Sequence, residues 1–158
     1  MKNLAAYLND HLAGAVAALE LVEHRRREYK NEPLGKLFES LKADIGADKE
    51  TLRELMRSLG IEESTVRQTG AWAAEKVARA RLKIAGDESG LVLALEGLIM
   101  GISGKRMLWR SLALANVPNT SKWDFKQLQR RAEDQIERAE VERIQAVQRA
   151  FVRGSSQD

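Results

Sequence analysis

The stretch Leu34–Gly60, "LGKLFESLKADIGADKETLRELMRSLG", decides how the chain folds. Leu34, Phe38, Leu41, Ile45, Leu52, Leu55 and Leu59 recur at spacings of three and four, which marks one apolar stripe along an α-helix. The same rhythm requires a member between Ile45 and Leu52, and that position holds Asp48. A carboxylate inside a core stripe is costly unless it is neutral or meets a partner. The partner has to come from elsewhere in the chain.

Upstream, the pattern predicts a helix over about Asn3–Tyr29, with Leu4, Leu8, Ala15, Leu19 and Val22 on one face. "KNEP" ends it, because the residue before Pro33 is driven out of helical geometry. Gly60 closes the second helix as its C′ residue. A polar connection follows, holding a short helix over about Ala71–Ile84. A third long helix over about Ser89–Ala115 carries Leu91, Leu95, Leu98, Ile102, Trp109 and Leu112. "NVPNTSKWD" reads as a loop, with Pro118 and Asn119 as turn formers. A fourth helix spans about Asp124–Val152, and "GSSQD" frays. The expected organisation is one helical domain over residues 1–153 and a disordered tail over 154–158.

Composition agrees with an all-α domain. Aromatics make up 5% of the chain and there are only two prolines, while Ala, Leu, Glu, Lys and Arg are abundant. A net charge of +3 selects neither nucleic acid nor an anionic membrane as partner. The absence of cysteine removes disulfides, thiolate metal sites and cysteine nucleophiles together. Asp10 and His11 interrupt the opening "MKNLAAYLNDHLAG", so it does not read as a signal peptide. No apolar run approaches the ~20 residues that cross a bilayer. The expectation is a soluble, cytoplasmic protein.

Short connections make helices one and two antiparallel neighbours, and likewise three and four. The long middle segment can climb back along the domain, which lets helices two and three run parallel. This is a four-helix bundle with one long crossover containing a short extra helix. In that phrasing, and in "DKETLRELMRSLG", "WAAEKVARARL", "LEGLIMGISGKRMLW" and "RRAEDQIERAEVER", the chain resembles the ferritin-like superfamily, most closely its small bacterial members. The resemblance covers nearly the whole chain and implies a di-iron or di-manganese carboxylate centre, with a Glu-x-x-His pair on each of two helices. That pair is missing: Leu8 stands three before His11, Leu21 three before His24, and helices three and four hold no histidine. Glu23, Asp48, Glu96 and Glu140 are the carboxylates left as metal-ligand candidates, a set a hard cation accepts.

Counting ~1.5 Å of rise per residue from Leu4, Leu59, Leu114 and Asp124 places His11, Asp48, Lys105 and Gln135 at one height. Lys105 lies between Ile102 and Trp109, the same kind of stripe position as Asp48. Glu23, Glu96 and Arg143 share a second, higher level, with Arg143 near the centre of the fourth helix's apolar face. These seven residues are expected to form a buried polar network. It can be a catalytic Lys–Asp or His–Asp pair tuned by burial, or a structural ion-pair network that fixes helix register. No nucleophile or glycine-rich loop accompanies it, which favours the structural reading. Trp109, one turn beyond Lys105, offers a cation–π contact.

Gly97, Gly101 and Gly104 lie on one side of the third helix, where each costs ~1 kcal/mol relative to alanine. Close approach of another helix, either the crossover or a second subunit, is the expected reason. "EHRRREYK" and "KVARARLK", with Arg149 and Arg153, gather at one end, where a basic surface meets nucleic-acid phosphates or is simply solvated. The leading expectation is a metal-free, ferritin-like structural or protein-interaction protein that forms a homodimer, a reading that leans away from an enzyme and leaves that question open. The alternatives are a di-metal carboxylate protein of ferroxidase or oxidase type, and a DNA-associated stress protein.

Overall fold

A computed structural model of the chain describes residues 2–64 and 88–152. Four long helices account for most of them: α1 (Lys2–Glu28), α2 (Pro33–Ser58), α3 (Glu88–Ala115) and α4 (Phe125–Val147), which runs on into a π-helical turn, Gln148–Val152. The described residues contain no strand, and no helix among them is long and apolar enough to cross a membrane. The short helix expected over Ala71–Ile84, the segment "KVARARLK", Arg153 and the tail at 154–158 lie outside the described residues.

The helix ends follow from local chemistry. Pro33 occupies the first turn of α2, where its missing N–H is no loss. Two residues on, a Cβ at Gly35 would collide with the carbonyl of Tyr29, so only glycine lets the α1–α2 connection close this tightly. At the other end of α2, Gly60 adopts φ 65°. Its N–H reaches Arg57 O at 3.1 Å while Ile61 N–H reaches Met56 O at 2.9 Å, the paired bonds of a Schellman cap. Buried Ile61 and Met56 supply the accompanying apolar contact. Asn116 leaves α3 in a left-handed conformation. Asp124 caps α4 by accepting a bond from Gln127 N–H at 2.9 Å.

Cross-helix contacts give the directions. Lys42 reaches back to Glu23, so α1 and α2 are antiparallel. Arg143 meets Glu96 and Arg149 meets Glu88, so α3 and the α4 end are antiparallel too. α1 also runs antiparallel to α3, through Tyr7 with Ser111 and Arg25 with Gly90 O. α2 runs antiparallel to α4, through Asp44 with Arg138 and Asp48 with Arg131. α2 and α3 are therefore parallel.

The α2 stripe packs as its periodicity predicts, with Leu34, Phe38, Leu41, Ile45, Asp48, Leu52 and Leu55 all buried. On α1 the buried line differs from the expected one: it is Leu8, Leu12, Ala13, Val22 and Arg25, whereas Leu4, Ala15 and Leu19 are half-covered. The middle of α1 is apolar almost all round, so spacing alone does not single out one face. The core separates into two clusters. One gathers Phe38, Leu41, Ile45, Leu95, Leu98 and Ile102; the other gathers Leu8, Leu12, Leu52, Leu55, Leu108 and Trp109. Asp48 lies between Ile45 and Leu52, and Lys105 between Ile102 and Leu108, at the boundary.

Candidate functional site

Asp48, Lys105 and Gln135 meet at that boundary, one from each of α2, α3 and α4. Lys105 Nζ donates to Asp48 Oδ2 at 2.6 Å and also to Gln135 Oε1. Gln135 Nε2 donates to the same Asp48 oxygen at 2.9 Å. The three side chains form a closed triangle. The Asp48 side chain is 0% exposed and that of Lys105 14%. Arg131, one turn before Gln135, brings Nη2 to 3.0 Å from Asp48 Oδ1, although that oxygen lacks an aligned hydrogen bond. Burial pulls the Lys105 ammonium below its ordinary value, the Asp48 charge opposes this, and Arg131 adds to the lowering.

His11 stands close by without joining the triangle. Its ring lies edge-on to Tyr7, centroids 4.6 Å apart. Burial lowers its pKa, with Asp10 pulling the other way, so the imidazole is neutral at neutral pH. No cation–π contact joins Lys105 to Trp109, because the ammonium is turned to Asp48 and Gln135.

Of the second level expected from the height count, Glu96 and Arg143 meet and Glu23 stands apart. Glu23 lies over the α1–α2 seam, bound by Arg26 at 2.9 Å, Arg27 at 2.8 Å and Lys42 at 2.8 Å. Glu96 and Glu140 share Arg143 across the α3–α4 seam, at 3.5 and 2.6 Å. These groups are partly exposed, and Arg143 flanks the buried line Leu128, Ala132, Gln135, Ala139 and Ala146 instead of lying at its centre. Equal height does not mean equal azimuth, so the two seams never meet. The four metal-ligand candidates accordingly do not converge: Glu23 and Asp48 each face cations, and Glu96 and Glu140 clasp one. Among the described residues, no group of three or more His, Asp or Glu is arranged to hold a metal ion.

The basic segment of α1 is largely paired within the fold. Arg25, which sequence reading placed in a charged run, is 4% exposed and donates to Glu28 and to Gly90 O. Its place three residues after Val22, on the buried line, was the signal available. Arg131 gave a weaker signal, since it flanks the α4 stripe and reaches the layer only through its length.

Beside the charged layer, α1, α2 and α3 line a cavity of about 250 Å³ that opens to the surface beside Gly14 and Gly101. Ile45, Leu52, Ile102, Leu108 and Trp109 give it apolar walls, His11, Asp48 and Lys105 give it polar ones, and Gly14, Gly101 and Gly104 line it as well. A Cβ on any of those three glycines meets no described atom within 4 Å. Among the described residues no helix approaches Gly97, Gly101 or Gly104 closely; the crossover, one of the two neighbours expected there, lies outside them. Trp109 is fully buried, and its Nε1 has no hydrogen-bond partner among the described residues.

Comparison with protein-family models, with curated proteins and with solved structures gives no match to this chain.

Proposed function

We propose that the chain is a ferritin-like four-helix bundle without a metal centre, whose role is structural or protein-interacting and which works as a homodimer. Two antiparallel helix pairs, with α2 and α3 parallel and a long connection between them, support the bundle reading. The pairing of each candidate carboxylate with a basic side chain supports the metal-free reading, because a divalent cation would have to displace those fixed cations.

The observation that carries the interaction role lies on the outer face of α3. Leu93, Met100, Met107 and Leu114 recur at intervals of seven and are 53%, 71%, 57% and 76% exposed. Gly97, Gly104 and Ser111 fall between them. Alternating spacings of four and three form the seam of a helix pair. The occupant that fits is α3 of a second copy, laid antiparallel about a two-fold axis. In that register Met100 faces Gly104, Met107 faces Gly97 and Leu93 faces Ser111, so each large side chain enters a space left by a small one. The same register brings Glu96 of one copy beside the exposed Arg110 of the other, twice over.

Light scattering coupled to size exclusion tests this. The chain is expected to run as a dimer, and Met100→Lys with Met107→Lys as a folded monomer. A wild-type monomer at high micromolar concentration, or a dimer undisturbed by the double substitution, would overturn the proposal. Protein reconstituted with iron or manganese and desalted should keep well under one ion per chain. Retention of two ions, lost in Asp48→Ala or Glu96→Ala, would favour a di-metal protein instead.

A further inference from the structure

We infer that the cavity between α1, α2 and α3 is a binding site for a small organic carboxylate with a flat apolar body. Three independent features converge on it. The first is an apolar space with an open mouth edged by glycine on both sides. Gly14 on α1 and Gly101 and Gly104 on α3 line the cavity, Gly14 and Gly101 at its exposed mouth, and among the described residues nothing occupies the place of their missing side chains. Glycine inside a helix is unfavourable by ~1 kcal/mol relative to alanine, so three of them around one void run against helix stability. An apolar cavity of roughly 150 Å³ takes up benzene; at about 250 Å³ this one has room for a ring bearing a carboxylate, or for two fused rings.

The second feature is a surplus of donors. Lys105 uses two of its three N–H groups, on Asp48 and Gln135. Trp109 Nε1, buried and lining the cavity, has no acceptor among the described residues. A buried donor without an acceptor is costly, and a ligand that brings oxygen acceptors relieves that cost. The third is charge. Lys105 brings an ammonium to the cavity wall and shares its counter-ion, Asp48, with Arg131 on the α2–α4 side, so its charge is only partly taken up. At the cavity Asp10 and Lys49 offset one another, and His11 is neutral. A carboxylate accepts a charge-assisted bond from the remaining N–H of that ammonium, which a cationic or neutral ligand of the same shape does not.

Calorimetric titration of the full chain with 1-naphthoate, and with neutral indole as the control, tests the inference. Naphthoate is expected to bind one per chain, at least about tenfold more tightly than indole, a difference of about 1.4 kcal/mol. Gly101→Leu fills the cavity from α3 and Ala18→Leu from α1. Each should weaken naphthoate binding at least about tenfold while leaving helical circular dichroism intact, and the second serves if the first does not fold. Absence of saturable naphthoate binding at millimolar concentration overturns the inference, as does binding that neither substitution weakens or that indole equals. Gly104 borders both surfaces, but Met100 and Met107 do not line the cavity, so a monomeric Met100→Lys, Met107→Lys variant that still binds naphthoate, or a dimer that does not, tells the two proposals apart.

Discussion

Asp48 and Glu23 each gather three partners, yet the two carboxylates are in opposite situations. The partners of Asp48 come from two other helices, and its side chain is 0% exposed. Those of Glu23 are two neighbours on its own helix and Lys42 from the next, all within reach of water. Removing a charge from water costs several kcal/mol, which only well-placed partners offset; an exposed pair gives up little water and gains little. The number of partners is therefore a poor guide to what an ion pair contributes. What matters is whether water can replace them.

The largest effect should come from breaking the buried set. Asp48→Ala, which leaves the Lys105 ammonium with only the neutral Gln135 oxygen, is expected to destabilise by about 3–5 kcal/mol, and Lys105→Met by less, because Gln135 and Arg131 still meet Asp48. Asp48→Asn combined with Lys105→Met should cost clearly less than the sum of Asp48→Asn alone and Lys105→Met alone. Chemical denaturation of the four proteins measures the coupling, and simple additivity would mean that the two residues act independently.

The next effect is in alkali. Burial holds Lys105 below its ordinary value. Between that lowered value and the ordinary lysine value near ~10.4, the unfolded chain binds more protons than the folded one, and stability rises with pH. Wild type measured against the double variant should therefore gain stability through that window. A flat difference would remove burial as the governing influence on Lys105.

The smallest effect belongs to Glu23. Bonds from Arg26, Lys42 and Arg27 hold its pKa far below the ordinary glutamate value. Its contribution is therefore present above that value and is lost as pH falls through the lowered one. Glu23→Gln should flatten the acid limb of the stability profile slightly and change little at neutral pH, and molar salt should erase the difference. A loss at neutral pH as large as that of Lys105→Met would void the contrast between the two sites.

The Asp48 layer was legible in the sequence because two independent stripes are each interrupted by one charge at matching heights. Distance along a helix follows directly from residue number. Direction around it does not, when the next helix's azimuth is unknown. That is why Glu23 and Glu96 shared a level on paper and face different seams in the fold. The glycines carried the opposite ambiguity: absence of a side chain signals either close approach or open space, and only the position of the neighbouring helix tells them apart. Gly35 went unread because its constraint is a collision with Tyr29 O across a turn, which no periodicity encodes.

The division of the core by the Asp48 layer also bears on how the chain reaches its structure. α1 with α2, and α3 with α4, are joined by short connections, so each pair closes through contacts local in sequence, which form fast. Asp48 belongs to one pair and Lys105 and Gln135 to the other. None of the three can shed its water until the two halves have met in register. Their dehydration therefore falls late, after most of the apolar surface is covered. In hydrogen exchange, amides around Ile45–Leu52 and Ile102–Trp109 should open together, as one unit distinct from the outer turns of the same helices.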